Sequence, residues 1–342
     1  MTQFRFSAVP ISLPRASSSL ALHRNTILTA VRSTSQRLVL LVDCPEIVQH
    51  KESPVLLWKQ LNKLLGTLYV WATKEAYAID RILMDIDVVF DGFCGYDLFK
   101  EWTTLEAVFG LESDIANVTS RIPSHVGLHH VSPTSANLAS EGEVSEISEQ
   151  TSSGPLAYDH VVNGGTFDHL HAGHKILLTM SAWLARKDLT VGMIDNSLLA
   201  SKRGATVMEP VHLRSSRVIS FLRALRRDLD FFAPTIYDPF GPTRTDPKFE
   251  VIVGSRETYK GCLAVNDERA KRSFSSLDIF IIDVISPEDV DVQDMAIKIS
   301  SSDIRTWIIR KIEEGVLSPS EHSHSEGSVK SATAGDQGKT TV

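Results

Sequence analysis

The 342-residue chain is short of cysteine: Cys44, Cys94 and Cys262 are odd in number and widely spaced. That excludes a disulfide framework and the paired spacing of a structural zinc site, and it points to a reducing compartment. No apolar run approaches the roughly 18 residues of a membrane span. The longest, around Leu38–Val42 and Ile279–Ile285, have the length of buried strands. Positive charge is not in excess, since 35 Lys and Arg stand against 42 Asp and Glu, a net charge of −7. Nothing therefore draws the chain to nucleic acid or to an anionic membrane. Neither G-x-G-x-x-G nor G-x-x-x-x-G-K-[ST] is present. The C-terminal "GDQGKT" has Thr333 where the first glycine belongs, with no strand pattern before it and no helix pattern after it.

Acidic residues are missing from the first 42 positions, which hold Arg5, Arg15, Arg24, Arg32, Arg37 and many serines. This composition predicts a basic, disordered N-terminus over 1–37. Mitochondrial transit peptides share it, so a mitochondrial location is the alternative to a cytoplasmic one.

Residues 38–112 read as a small α/β lobe of unknown role. "RLVLLVDCP" and "RILMDIDVVFDG" have strand character. A helix follows Ser53, with Leu56, Leu57, Leu61, Leu64 and Leu65 at helical spacing, and "YDLFKEWTTLEAVFGL" reads as another. Trp58, Trp71 and Trp102 are expected in a core or an interface. Residues 113–157 are serine-rich and acidic and predict a disordered linker, as 316–342 predict a disordered tail. A fragment from about Ser152 to Ser318 is then expected to fold alone. Between these segments, over 158–315, apolar strands alternate with helices. The pattern predicts a Rossmann-like, doubly wound parallel sheet with helices on both faces. Such folds bind ligands at the carboxyl ends of the strands.

"GGTFDHLHAGHKILL", residues 164–178, stands where the first of those strands ends. Gly164 and Gly165 permit a tight turn and a close backbone approach. The helix that follows aims its free N-terminal amides at the strand ends, which makes an anion site. His171 and His174 share one face of its first turn, with the Thr166 hydroxyl beside them. Asp168 suits a turn-holding role. A zinc site at His169, His171 and His174 lacks a completing carboxylate or cysteine.

This stretch resembles the T-x-x-H/H-x-G-H signature of the nucleotidylyltransferase superfamily. "KISSSDIR", residues 298–305, resembles its I-S-S-T-x-I-R motif, with Ser302 where threonine is usual. Within the superfamily the chain looks like the phosphopantetheine adenylyltransferases of eukaryotic and archaeal type. "IYDPFGPTRTDPKFEVIV" and "VGSRETYKGCLAVNDER", with Ser255, Glu257 and Thr258, also agree. The resemblance covers about 158–315. Animal forms are fused to a kinase with a phosphate-binding loop; without such a loop, this chain resembles the monofunctional fungal form.

The resemblance implies adenylyl transfer from ATP to 4′-phosphopantetheine, giving dephospho-coenzyme A and pyrophosphate, by direct in-line attack. His174 would donate to the α-phosphate, and Thr166 would orient the attacking phosphate or the α-phosphate. Lys202 would steady the transition state, with Arg203 its rival. The implied ATP site comprises Gly164, Gly165, Thr166, His171, His174, Gly254, Arg256, Ser300, Ser301, Ser302 and Arg305. Thr166 and Lys202 would also meet the acceptor. Mg²⁺ would arrive on the triphosphate, and other enzymes of coenzyme A synthesis are candidate partners. The alternatives are a cytidylyltransferase or other adenylyltransferase, and a non-catalytic scaffold that keeps the fold.

Overall fold

Strands rich in Val, Ile, Leu and Phe build two parallel sheets in a computed structural model that describes residues 3–133, 155–282 and 300–318. The first sheet holds β1 (Phe4–Ser12), β2 (Thr34–Asp43), β3 (Asp85–Phe90), β4 (Ala107–Gly110) and β5 (Gly127–His130), in the order β3-β2-β1-β4-β5. The second holds β6 (Tyr158–Gly165), β7 (Ala185–Ile194), β8 (Asp230–Phe232), β10 (Val251–Ser255) and β11 (Asp278–Ile282), in the order β11-β10-β6-β7-β8. The short β9 (Thr235–Ile236) also pairs with β7. Counted from its own first strand, the second sheet repeats the order of the first. Each reverses direction beside its first strand, at β1/β4 and at β6/β10, where a doubly wound sheet opens its crevice. The expected Rossmann-like α/β class is what the structure displays, in two copies rather than one.

Two segments differ from the sequence reading. The arginine-rich 1–37 is ordered from residue 3 onward: β1 is the central strand of the first sheet, and α1 (Arg24–Ser33) covers it. The basic side chains are spent on the surface and on pairs such as Arg37 with Asp87, so composition misled about order. The start of the expected linker 113–157 is also ordered, as α5 (Glu112–Val118) and the edge strand β5. The first lobe thus runs from residue 3 to 133, not 38–112. Within "YDLFKEWTTLEAVFGL" only α4 (Leu98–Glu101) is helical, and Ala107–Gly110 is β4. Residues 134–154 of the linker, Lys298 and Ile299 of the second motif, and 319–342 of the tail lie outside the described residues.

The lobes share one core. A short helix α2 (Pro45–Gln49) leads to α3 (Trp58–Ala78), whose Leu61, Leu65 and Leu68 are buried with Val9 and Leu40 of the first sheet. The same apolar cluster contains Ile176, Met180 and Trp183 of α6 (Ala172–Leu184), and Val161 and Val191 of the second sheet. Trp183 donates Nε1–H to Pro54 O at 2.8 Å, and Trp58 packs edge-on against Phe280. Of the three tryptophans singled out, Trp58 therefore stands between the lobes. Three further helices complete the second lobe: α7 (Val211–Leu225), α8 (Tyr259–Ala270) and α9 (Ser301–Glu313).

Candidate active site

The turn between β6 and α6 is tight enough that two non-glycine residues take left-handed backbone, Phe167 at φ 49° and His169 at φ 46°. Such conformations cost about 1–3 kcal/mol each and persist only where the surroundings impose them. Here they do. The Phe167 ring is buried and lies against Gly165, where an added Cβ would come within 3.1 Å of it. The His169 amide donates to Glu209 Oε2 at 3.0 Å, and its ring Nε2 meets Val207 O. Asp168 accepts the Glu209 amide at 2.9 Å, and the Arg214 guanidinium donates to Thr166 O. The strain fixes the direction of Thr166 and of the helix start.

His171 is the N-cap of α6, and its carbonyl accepts the Lys175 amide. The His171 and His174 rings stack with centroids 3.8 Å apart. Nδ1 of each is buried and meets no hydrogen-bond partner among the described residues. Burial, with His169 nearby, pushes the His171 imidazole down to about 3. Burial, with His171 beside it, pushes His174 well below the usual range. Both rings are neutral at physiological pH. His169 faces elsewhere, so the three histidines do not converge on a metal.

Lys202, on the loop after β7, donates to Thr166 Oγ1 at 3.0 Å. Desolvation and the neighbouring Arg305 lower its ammonium pKa. The rival Arg203 instead offers its carbonyl to Arg305 Nε at 2.8 Å. Gly204 follows at φ 73°, and a Cβ there would stand 3.0 Å from Arg305 Cβ, so this loop needs glycine on both counts.

α9 points its N-terminus at the same place. Ser300 caps it and is also bonded to Asp303 Oδ2 at 2.7 Å; Ser301 and Ser302 open the first turn. Arg305, expected to reach phosphate, is 2% exposed. It is committed to Asp168 at 2.6 Å, to Arg203 O, and to Ser302 Oγ at 3.1 Å. It braces the site rather than standing free to grip a ligand. Gly254 is the last residue but one of β10, and a Cβ there would meet Cys262 Sγ at 2.8 Å and Thr258 Oγ1 at 2.9 Å. The next residue but one, Arg256, is exposed.

Thr166, His171, His174, Lys202 and the α9 start thus meet at the carboxyl ends of the strands. Sequence reading missed Arg214, Glu209 and Lys175, whose partners are distant in the chain. Among the described residues no group of three or more His, Cys, Asp or Glu could hold a metal ion, and no helix is long and apolar enough to cross a membrane.

Residues 162–307 match the protein family described as Cytidylyltransferase-like. An uncharacterized protein of Schizosaccharomyces pombe is 30% identical over 276 residues, 77% of this chain and 84% of that one. An alignment of that length extends beyond the second lobe into the first. The phosphopantetheine adenylyltransferase of Methanothermobacter thermautotrophicus is 36% identical over 43% of this chain and 84% of its own length. That of Saccharomyces cerevisiae is 36% identical over 42% of this chain and 46% of its own.

Proposed function

We propose, from the premise that the chain belongs to the phosphopantetheine adenylyltransferase family of cytidylyltransferase-like proteins, that it transfers the adenylyl group of ATP to 4′-phosphopantetheine. The observation that carries this reading is the meeting of Thr166, Lys202 and His174 at the start of α6, with Lys202 bonded to Thr166. The nucleophile is a phosphate that is already ionised, so the chemistry needs no general base. It needs two anions held in line and charge stabilised on the α-phosphate.

The residues suit that task. The free amides of α6 and of α9 favour anions at both ends of a triphosphate. Neutral His174 can donate one hydrogen bond to the α-phosphate without a proton changing hands. Lys202 and Thr166 form the wall that the incoming phosphate would meet. Mg²⁺ would enter as part of the substrate, on the triphosphate; the one carboxylate in the turn, Asp168, is already committed to Arg305 and the Glu209 amide.

The test is pyrophosphate release with ATP or CTP, crossed against 4′-phosphopantetheine and other phosphorylated acceptors. Release that requires ATP and phosphopantetheine together supports the proposal. Equal or better release with CTP would move the chain to a cytidylyl reaction, and none with any pair would leave a scaffold.

A further inference from the structure

Lys175 follows His174, yet its side chain leaves the site and enters the other lobe. It is 2% exposed. Its Nζ donates to Asp87 Oδ1 at 2.7 Å, to Ile86 O at 2.9 Å, and to Asp85. All three acceptors lie on β3, and an ammonium has three protons, so the cage is complete. The Phe221 ring lies 5.5 Å from Nζ. Asp87, also buried, takes a second bond from Arg37 at 3.1 Å. Burial alone would lower the Lys175 ammonium, but Asp85 and Asp87 outweigh it and hold it above its ordinary value. The Lys175 amide, bonded to His171 O at 3.0 Å, closes the turn that carries both histidines. Backbone and side chain of one residue therefore join that turn to β3.

α1 has a histidine at its N-cap, His23, as α6 has His171. Gly110 ends β4, and Gly254 is the last residue but one of β10. His23 Nε2 is bonded to Asp114 Oδ2 at 3.0 Å. The lobe repeats the strand order of its neighbour.

We propose that the first lobe is a positioning device, in which the Asp85–Ile86–Asp87 edge of β3 holds the first turn of α6 in its working orientation through Lys175. This rests on the adenylyl-transfer reading, with Lys175 a positioning residue. A displacement of the order of 1 Å at such a turn can cost about 100-fold in rate.

The experiment uses the full chain with Lys175→Met, Asp87→Asn, the double variant, and Glu101→Gln as control. Glu101 pairs with Arg227 at an exposed contact between the lobes, away from the turn. Thermal melts establish folding, kinetics give kcat and the KM for ATP, and NMR reads the His171 and His174 ring signals. The expected result is a kcat loss of about 10- to 100-fold in the cage variants, with KM for ATP changed less than about threefold. The double variant should be no slower than the worse single one, the control should match wild type, and the histidine signals should shift only in the cage variants. Folded cage variants with normal kcat and unshifted histidines would overturn the proposal. So would a control that falls equally, or a double variant that does not fold, since the cage would then build the fold rather than orient the turn. If wild type shows no phosphopantetheine-dependent release, the proposed reaction fails, while the histidine signals still decide whether Lys175 sets the turn.

Discussion

Arg305 donates to Asp168 Oδ2 at 2.6 Å, and the two are 137 residues apart in sequence. One belongs to the turn before α6 and the other to the first turns of α9. The pair is buried, and Arg305 also holds the Arg203 carbonyl beside Lys202. The two motifs are thus one braced unit. Removing one partner leaves a charge buried without its counter-ion, a change that typically costs about 3–5 kcal/mol. Arg305→Met and Asp168→Asn should each lower urea-unfolding stability by that order, and the double variant should lose less than their sum. Additive losses would show that the two side chains act separately.

His174→Ala should reduce kcat by about 100-fold or more and leave ATP affinity within about threefold. A hydrogen bond to the α-phosphate matters most as charge develops there. Steady-state kinetics beside direct ATP titration check this. Normal turnover with weakened ATP binding would make His174 a ground-state contact only.

What the sequence made legible was local. The turn 164–178 and the helix starting at Ser301 announce themselves because glycines, a cap and histidines sit within one or two turns of each other. The second sheet followed from continuous apolar strands. The first lobe was half-read because its strands carry misleading neighbours. Arg5 and Arg37 flank apolar cores, serines crowd the loop at 17–19, and β5, "GLHH", is too short and too exposed to signal a strand. Lys175 was unreadable in principle, since its partners on β3 are about ninety positions away and no local pattern links them.

The shared core reverses the expectation for the fragment from about Ser152 to Ser318. Cutting there would uncover Ile176, Met180 and Trp183, strip Lys175 of its carboxylates, and leave Trp183 Nε1 without Pro54 O. Each large side chain exposed forfeits roughly 1.5–3 kcal/mol, against a total stability of only about 5–15 kcal/mol. The fragment should be insoluble or inactive beside an active full chain. A soluble monomeric fragment with full turnover would show that the first lobe is dispensable.

Acid should destabilise the protein through the stacked histidines. His171 falls from the ordinary 6.5 to about 3 in the folded state, and His174 falls too. Between those values the unfolded chain binds more protons than the folded one. The contribution is therefore complete above about pH 6.5 and is lost as the pH drops through the window below it. The slope can reach about 1.4 kcal/mol per pH unit for each histidine that stays neutral only when folded. Melting curves from pH 7.5 to 5 should fall less steeply for His171→Asn than for wild type. Parallel slopes would place the acid sensitivity elsewhere.

Nucleotide choice should favour ATP over CTP and GTP by about 100-fold or more. The triphosphate contacts are common to all three, so the amides of α6 and α9 add affinity without discriminating. Discrimination has to come from the base edge. The backbone at Val253–Ser255, where β10 ends, presents fixed donors and acceptors; Gly254 is buried there, and any side chain at its position would push against Cys262 and Thr258. A rigid backbone edge cannot re-aim its groups for a base with the wrong pattern, so each mismatch strands a buried polar group at about 1–3 kcal/mol. Two mismatches reach the discrimination expected. The measurement is kcat/KM for each nucleotide at saturating 4′-phosphopantetheine. Gly254→Ala, which forces the strand end to shift, should narrow the ATP preference more than it lowers triphosphate affinity, read with inorganic tripolyphosphate as competitor. A CTP value within about threefold of ATP in the wild-type chain would sink the adenylyl assignment, because no cost of a mispaired edge would then be visible.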